Sequence, residues 1–346
     1  MKAVAKRWFL PGIFLAAISL FAVGRAQESS SSGDEPVKVL GSETIEVRDN
    51  GQSGLLPYFS SDRLPGKSPE VQTVLIVFHG VKRNADDYLA AGMAAKDAAH
   101  ISDGLIVIAP QFLNTKDFEA YKLPNQMLRW KAAEWEGGFQ AAGPVPMSSF
   151  SAIDGLLRRL ADRSSFPNLK RVVLAGHSGG AQLVQRYAVV GKADTILKAG
   201  GIAIRYVVAN PSSYLYFDEE RPGINGKFEK YEATKCPGFN DWKFGWLKAP
   251  PYVSGQSNQQ LEESFVRKNL IYLLGTADTD PNHPALDKSC PAEAQGPTRF
   301  ARGTAYFNYL KMRHPELVQR LEQVPGIGHD GRAMFTSAVG LKALFQ

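Results

Sequence analysis

Gly176-His177-Ser178-Gly179-Gly180 is the stretch of this chain best built to do chemistry. Val172 to Ala175, just before it, read as a short buried strand, and Leu183, Val184, Tyr187 and Ala188 mark one stripe of a helix after it. A strand that turns this sharply into a helix forces the central residue into a strained backbone. The flanking glycines remove the Cβ atoms that would collide there. Ser178 is thereby lifted to the tip of the turn, close to the helix N-terminus. A serine hydroxyl is a weak nucleophile until a base takes its proton, and that base needs an acid to orient it.

With its strand and helix, the Gly-x-Ser-x-Gly turn resembles the nucleophile elbow of the α/β-hydrolase superfamily. The resemblance covers roughly residues 70–345 and implies the chain order serine, acid, histidine. Of the six histidines, His79 and His177 flank other parts of the pattern, and His100 precedes the serine. His314 ends a helix in Arg-His-Pro, and His283 sits in a Pro-rich loop. His329, in Pro325-Gly-Ile-Gly-His-Asp330, follows the last expected strand, where the superfamily carries its base. The acid it implies is Asp278, in Leu274-Gly-Thr-Ala-Asp278, with Asp280 as the alternative. A carboxylate pair in a loop also fits a cation site or solvated turn residues. By the same resemblance, the oxyanion of the reaction meets the backbone N–H groups of Val81, after His79-Gly80, and of Gly179. His79 then serves to hold that loop rather than to carry protons.

The elements that must position these residues alternate along the chain. Residues 44–47 and 56–59, split by Asn50-Gly51, read as an antiparallel edge pair. Strands follow at 71–78, 105–109, 172–175, 202–208, 269–274 and 321–324. Helices are expected at 86–100, 149–160, 304–312 and 331–345. This is an α/β pattern: a mostly parallel sheet flanked by helices on both faces, with active groups beyond the carboxyl ends of its strands. Residues 41–346 are read as the hydrolase domain.

Two excursions interrupt it, at 111–146 and at 209–268. The second stands where the superfamily often inserts a cap, after the sixth strand. Trp130, Tyr214, Trp242 and Trp246 are candidates to line an apolar substrate pocket; the other reading makes them the core of the insertion.

Residues 1–26 resemble an export signal. Lys2, Lys6 and Arg7 open it, 8–23 are apolar, and Gly24-Arg25-Ala26 supplies small residues for cleavage after Ala26. An uncleaved N-terminal membrane anchor is the alternative. This segment carries four of the cations behind the net charge of +6 and no acid, so the remainder is nearly neutral. No basic run suggests nucleic acid, and a membrane role is not expected once the leader is removed. Residues 27–40 read as a polar linker. Cys236 and Cys290, the only two cysteines, are expected to pair in an exported protein. There is no Rossmann fingerprint, P-loop or zinc spacing, so no cofactor is implied. The expected function is a secreted or periplasmic serine hydrolase of small or polymeric carboxylic esters. Amide or peptide hydrolysis by the same residues, or a non-catalytic binding module, are the alternatives.

Overall fold

Alternation within the central strands decides how the layers form. In a strand, successive side chains point to opposite faces. Val74, Ile76 and Phe78 accordingly enter one buried cluster, with Val172 and Leu174 from the next strand. Leu75 and Val77 enter a second cluster with Val173 and Ala175. A sheet buried on both faces needs helices on both, and each fully buried aliphatic side chain contributes about 1.5–3 kcal/mol.

The computed structural model describes residues 1, 33, 35–62, 64, 66–223 and 225–346. The elements run β1 (Glu43–Asp49), β2 (Gln52–Ser60), β3 (Thr73–Phe78), α1 (Ala85–Ala98), β4 (Leu105–Pro110), α2 (Thr115–Tyr121), α3 (Ser149–Leu160), β5 (Arg171–His177) and α4 (Gly179–Val190). Then come α5 (Asp194–Ala199), β6 (Ala203–Ala209), a small hairpin of β7 (Glu220–Pro222) and β8 (Phe228–Lys230), and α6 (Asn258–Phe265). The chain closes with β9 (Leu270–Gly275), α7 (Cys290–Glu293), α8 (Arg299–Arg313), β10 (Arg320–Val324), α9 (Gly331–Thr336) and α10 (Ala338–Phe345).

Eight strands form the main sheet in the order β1-β2-β4-β3-β5-β6-β9-β10. The pairings from β4 through β10 are parallel, and β1 and β2 make the antiparallel edge. Asn50 and Gly51 both take positive φ (47° and 76°), as a tight hairpin turn requires. Helices α1, α9 and α10 cover one face through Ala91, Met334, Phe335 and Leu344. Helices α3, α4 and α8 cover the other through Leu156, Val184 and Tyr306. The α/β architecture with an insertion after the sixth strand is therefore as expected.

Two details differ from the sequence reading. The closing helix is two helices, because Ser337 takes an extended backbone and its Oγ accepts a hydrogen bond from Gly340 N, capping α10. Only part of the expected linker at 27–40 is described, and that part is held in place. Arg83 donates to the carbonyls of Gly33 and Glu35, and Val37 N donates to Asp117 Oδ1 at 2.8 Å. Polar composition alone hides such backbone anchoring. The expected leader, but for its first residue, lies outside the described residues. Among the described residues, no helix is long and apolar enough to cross a membrane. Cys236 and Cys290 are joined in a disulfide, tying the insertion to α7.

Candidate active site

The turn between β5 and α4 holds Ser178 at φ 57° and ψ −120°. A non-glycine residue there costs about 1–3 kcal/mol of backbone strain, which surrounding structure must hold in place. The hold is visible. Ser178 N donates to Ala209 O at 3.0 Å, at the carboxyl end of β6. A Cβ on Gly176 would lie 2.2 Å from Gly180 O, and one on Gly180 would lie 2.2 Å from Phe78 O. The two glycines let strand, helix and β3 meet at backbone distance.

Two other strand ends deliver polar side chains to the same place. Asp278 follows β9 and His329 follows β10, and the loops carrying them are joined by Ala277 N donating to Ile327 O at 3.0 Å. His329 Nε2 lies 3.0 Å from Ser178 Oγ, and His329 Nδ1 lies 2.8 Å from Asp278 Oδ2. Asp280 is exposed, and its Oδ1 accepts from Asn282 N within its own turn. A continuous chain of hydrogen bonds thus runs from Asp278 through His329 to Ser178.

The electrostatics of that chain suit a base. Burial lowers the His329 pKa; the hydrogen bond to Asp278 opposes this, and the nearby Arg299 charge adds to the lowering, so the ring lies below the ordinary imidazole value. Burial raises the Asp278 carboxyl, but its hydrogen bond with His329 and the charge of Arg299 outweigh that and hold it low. Arg299 Nη1 lies 3.3 Å from Asp278 Oδ1, both side chains being buried. Two more imidazoles surround His329: the His177 ring is 4.4 Å away and the His283 ring meets it edge-on at 5.0 Å. Burial pushes His177 well below its usual pKa, and its Nδ1 pairs with Tyr88 OH at 3.1 Å.

On the other side of Ser178, a Cβ on Gly179 would stand 3.2 Å from Val81 N, so the backbones of residues 179 and 81 face each other. His79 is fully buried below them. Its Nδ1 donates to Gly80 O at 2.8 Å and its Nε2 accepts from Phe112 N at 2.9 Å, a pattern that needs the neutral ring. Burial pushes its pKa down to about 4.

Two cavities, of about 540 and 400 Å³, meet at Ser178 and share Val81, His283, Pro284 and Ala285 as walls. Neither is lined by Trp130, Tyr214, Trp242 or Trp246. Trp130 packs edge-on against Phe112, 5.2 Å between rings, and Tyr214 stacks on Tyr306 at 4.6 Å. Trp242 donates from Nε1 to Gly137 O at 2.6 Å and packs against Trp246. Aromatic surface of this size is worth more in the core of the insertion than at a wet rim.

Two buried polar residues that sequence reasoning passed over stand beside the serine and the carboxylate. Glu136 is buried beside Gly179, its Oε2 accepting from Gln182 and Lys243. Arg299 also donates to Ser212 Oγ and to Ala285 O, linking the Asp278 carboxylate to the loop that lines both cavities. Neither carries a spacing signal; only their burial next to the serine and the acid marks them.

No protein-family model matches the chain, and no curated protein matches it. Solved structures do. Poly(aspartic acid) hydrolase-1 from Sphingomonas sp. KT-1 is 24% identical with a TM-score of 0.58, over 90% of this chain and 100% of that one. LpqC, a poly(3-hydroxybutyrate) depolymerase from Bordetella parapertussis, is also 24% identical, with a TM-score of 0.59, over 87% of this chain and 89% of that one. By its sheet, its strand–serine–helix turn and these likenesses, the chain has the fold of the α/β-hydrolase superfamily.

Proposed function

We propose that the chain is a serine hydrolase of carboxylic esters, with Ser178 as nucleophile, His329 as base and Asp278 as its orienting acid. The observation that carries this reading is the unbroken hydrogen-bond path from Asp278 Oδ2 through both ring nitrogens of His329 to Ser178 Oγ. Neutral His329 takes the Ser178 proton as Oγ attacks the ester carbonyl carbon. Asp278 stabilises the imidazolium so formed and fixes the tautomer that presents Nε2 to the serine. The N–H groups of Val81 and Gly179 receive the oxyanion of the tetrahedral intermediate, a role worth about 3 kcal/mol of barrier per donor. Collapse expels the alcohol, which takes the proton back from His329. Water, activated by the same ring, then attacks the acyl-enzyme and frees the acid.

Two cavities meeting at Ser178 give separate room for the acyl and alcohol sides of the ester. That arrangement suits small esters and also a polymer threaded across the serine; both structural relatives are named for polymeric substrates. The leader at residues 1–26 and the Cys236–Cys290 disulfide support an exported protein, secreted or periplasmic, whose domain is residues 41–346. A fluorophosphonate probe tests the chemistry directly. The folded chain should be labelled and should hydrolyse p-nitrophenyl esters, and Ser178→Ala should abolish both. A folded chain that takes no label overturns the reading.

A further inference from the structure

We infer that the larger cavity beside Ser178 takes the carboxylate-bearing part of an anionic ester, held by Lys82 and Arg332. This deepens the serine-hydrolase reading and rests on it. Lys82 follows Val81, and Arg332 lies in the first turn of α9, three residues beyond His329. Both line the cavity of about 540 Å³ and both are exposed.

The charged groups in that wall are not equivalent. Its two carboxylates are engaged within the protein: Asp87 Oδ2 accepts from Asn84 at 2.6 Å, and Asp330 Oδ1 accepts from Ala333 N at 3.0 Å as the cap of α9. Neither the Lys82 ammonium nor the Arg332 guanidinium has a hydrogen-bond or ion-pair partner among the described residues. The second cavity repeats the pattern. Lys243 is committed to Glu136 at 2.9 Å and faces Asp287, whereas Lys288 has no partner among the described residues.

Each cavity at the serine therefore presents a cationic side chain with no protein partner, and the cavity behind Lys82 and Arg332 presents two, beside carboxylates already held by protein donors. An arginine fork and a lysine ammonium on one concave wall match a carboxylate in charge and geometry.

The experiment compares mono-p-nitrophenyl glutarate, which ends in a carboxylate, with p-nitrophenyl valerate, its neutral counterpart of equal chain length. At low salt, kcat/KM for the glutarate should exceed that for the valerate by about tenfold, and the excess should shrink at about 0.5 M NaCl. Lys82→Glu combined with Arg332→Glu should reduce the ratio by at least about tenfold. Lys170→Glu, a single charge reversal just before β5 and away from both cavities, should leave the ratio as it is. Lys82→Met with Arg332→Met gives a milder pair if the charge reversal fails to fold, and should reduce the ratio too. A parent ratio of one or less, or a ratio untouched by either double variant, overturns the inference while leaving the hydrolase reading intact. Turnover of neither ester, with no fluorophosphonate label on the folded chain, overturns both.

Discussion

Asp278 Oδ2 lies 2.8 Å from His329 Nδ1, three residues beyond the end of β9, while Asp280, two residues further on, accepts from Asn282 N within its own turn. A triad needs placement to about half an ångström, which a strand end supplies better than an exposed loop. Asp278→Asn should cut turnover by on the order of 10⁴ without unfolding the protein, because the amide favours the wrong histidine tautomer. Asp280→Asn should cost about tenfold or less, in keeping with an exposed substitution. Steady-state kinetics with one p-nitrophenyl ester separates the two; exchanged behaviours would move the acid to Asp280.

On the proposed mechanism, the pH profile follows from the state of His329. Its ring must be neutral to accept the Ser178 proton, and its pKa lies below the ordinary value. Activity should therefore persist below pH 6.5 and fall only at more acid pH. The charges facing this ring come from Arg299, Asp278 and His283. Arg299→Met removes a positive charge that lowers it, so the acid limb of kcat/KM should move to higher pH, whereas Arg299→Lys should leave it nearer the parent. A limb that moves to lower pH in the Met variant would contradict this electrostatic account.

Trp242 is 7% exposed, and its indole N–H is bound to Gly137 O. Trp242→Ala should destabilise the protein by about 3–5 kcal/mol, as large-to-small core changes do. The loss of activity should be equal for short and long esters. A selective loss of long esters at unchanged melting temperature would return Trp242 to the substrate.

Gly180→Ala would drive a methyl to 2.2 Å from Phe78 O, a backbone atom that cannot swing away. A cost of about 4 kcal/mol or more is expected. The denaturant midpoint measures it, and a shift under about 1 kcal/mol would show that the elbow tolerates a Cβ.

Stability should also respond to acid through His79. Its pKa is about 4 in the fold, below the 6.5 of an ordinary imidazole, so the unfolded chain binds the proton more readily. The stabilisation is complete above about pH 6.5 and is lost as the pH falls toward 4, by on the order of 3 kcal/mol. Thermal melts between pH 7 and 4.5 should show this slope. His79→Gln, less stable at neutral pH, should show a flatter one.

Residue order and local pattern by themselves determined much of this protein. Strand–helix alternation implied the layered sheet, because burial on two faces writes continuous apolar runs such as those of β3 and β4. The glycines around Ser178 announced a turn where backbones touch, and the position of His329 after the last strand made it the candidate base. The first two are local statements, fixed by backbone geometry within a few residues; the role expected of His329 came from the resemblance to the superfamily. The destination of the large aromatics was not local. Trp130, Tyr214, Trp242 and Trp246 read the same whether they face a cavity or each other, and only tertiary packing set Trp130 against Phe112, Tyr214 against Tyr306 of α8, and Trp242 against Gly137 and Trp246. Glu136 and Arg299 sit far in sequence from the groups they serve, so their burial beside Gly179 and Asp278 came from tertiary structure alone. The same is true of residues 35–40, which look like a linker until Arg83 and Asp117 bind their backbone. Long-range hydrogen bonds leave no period in a sequence, and they decided which polar residues surround the serine.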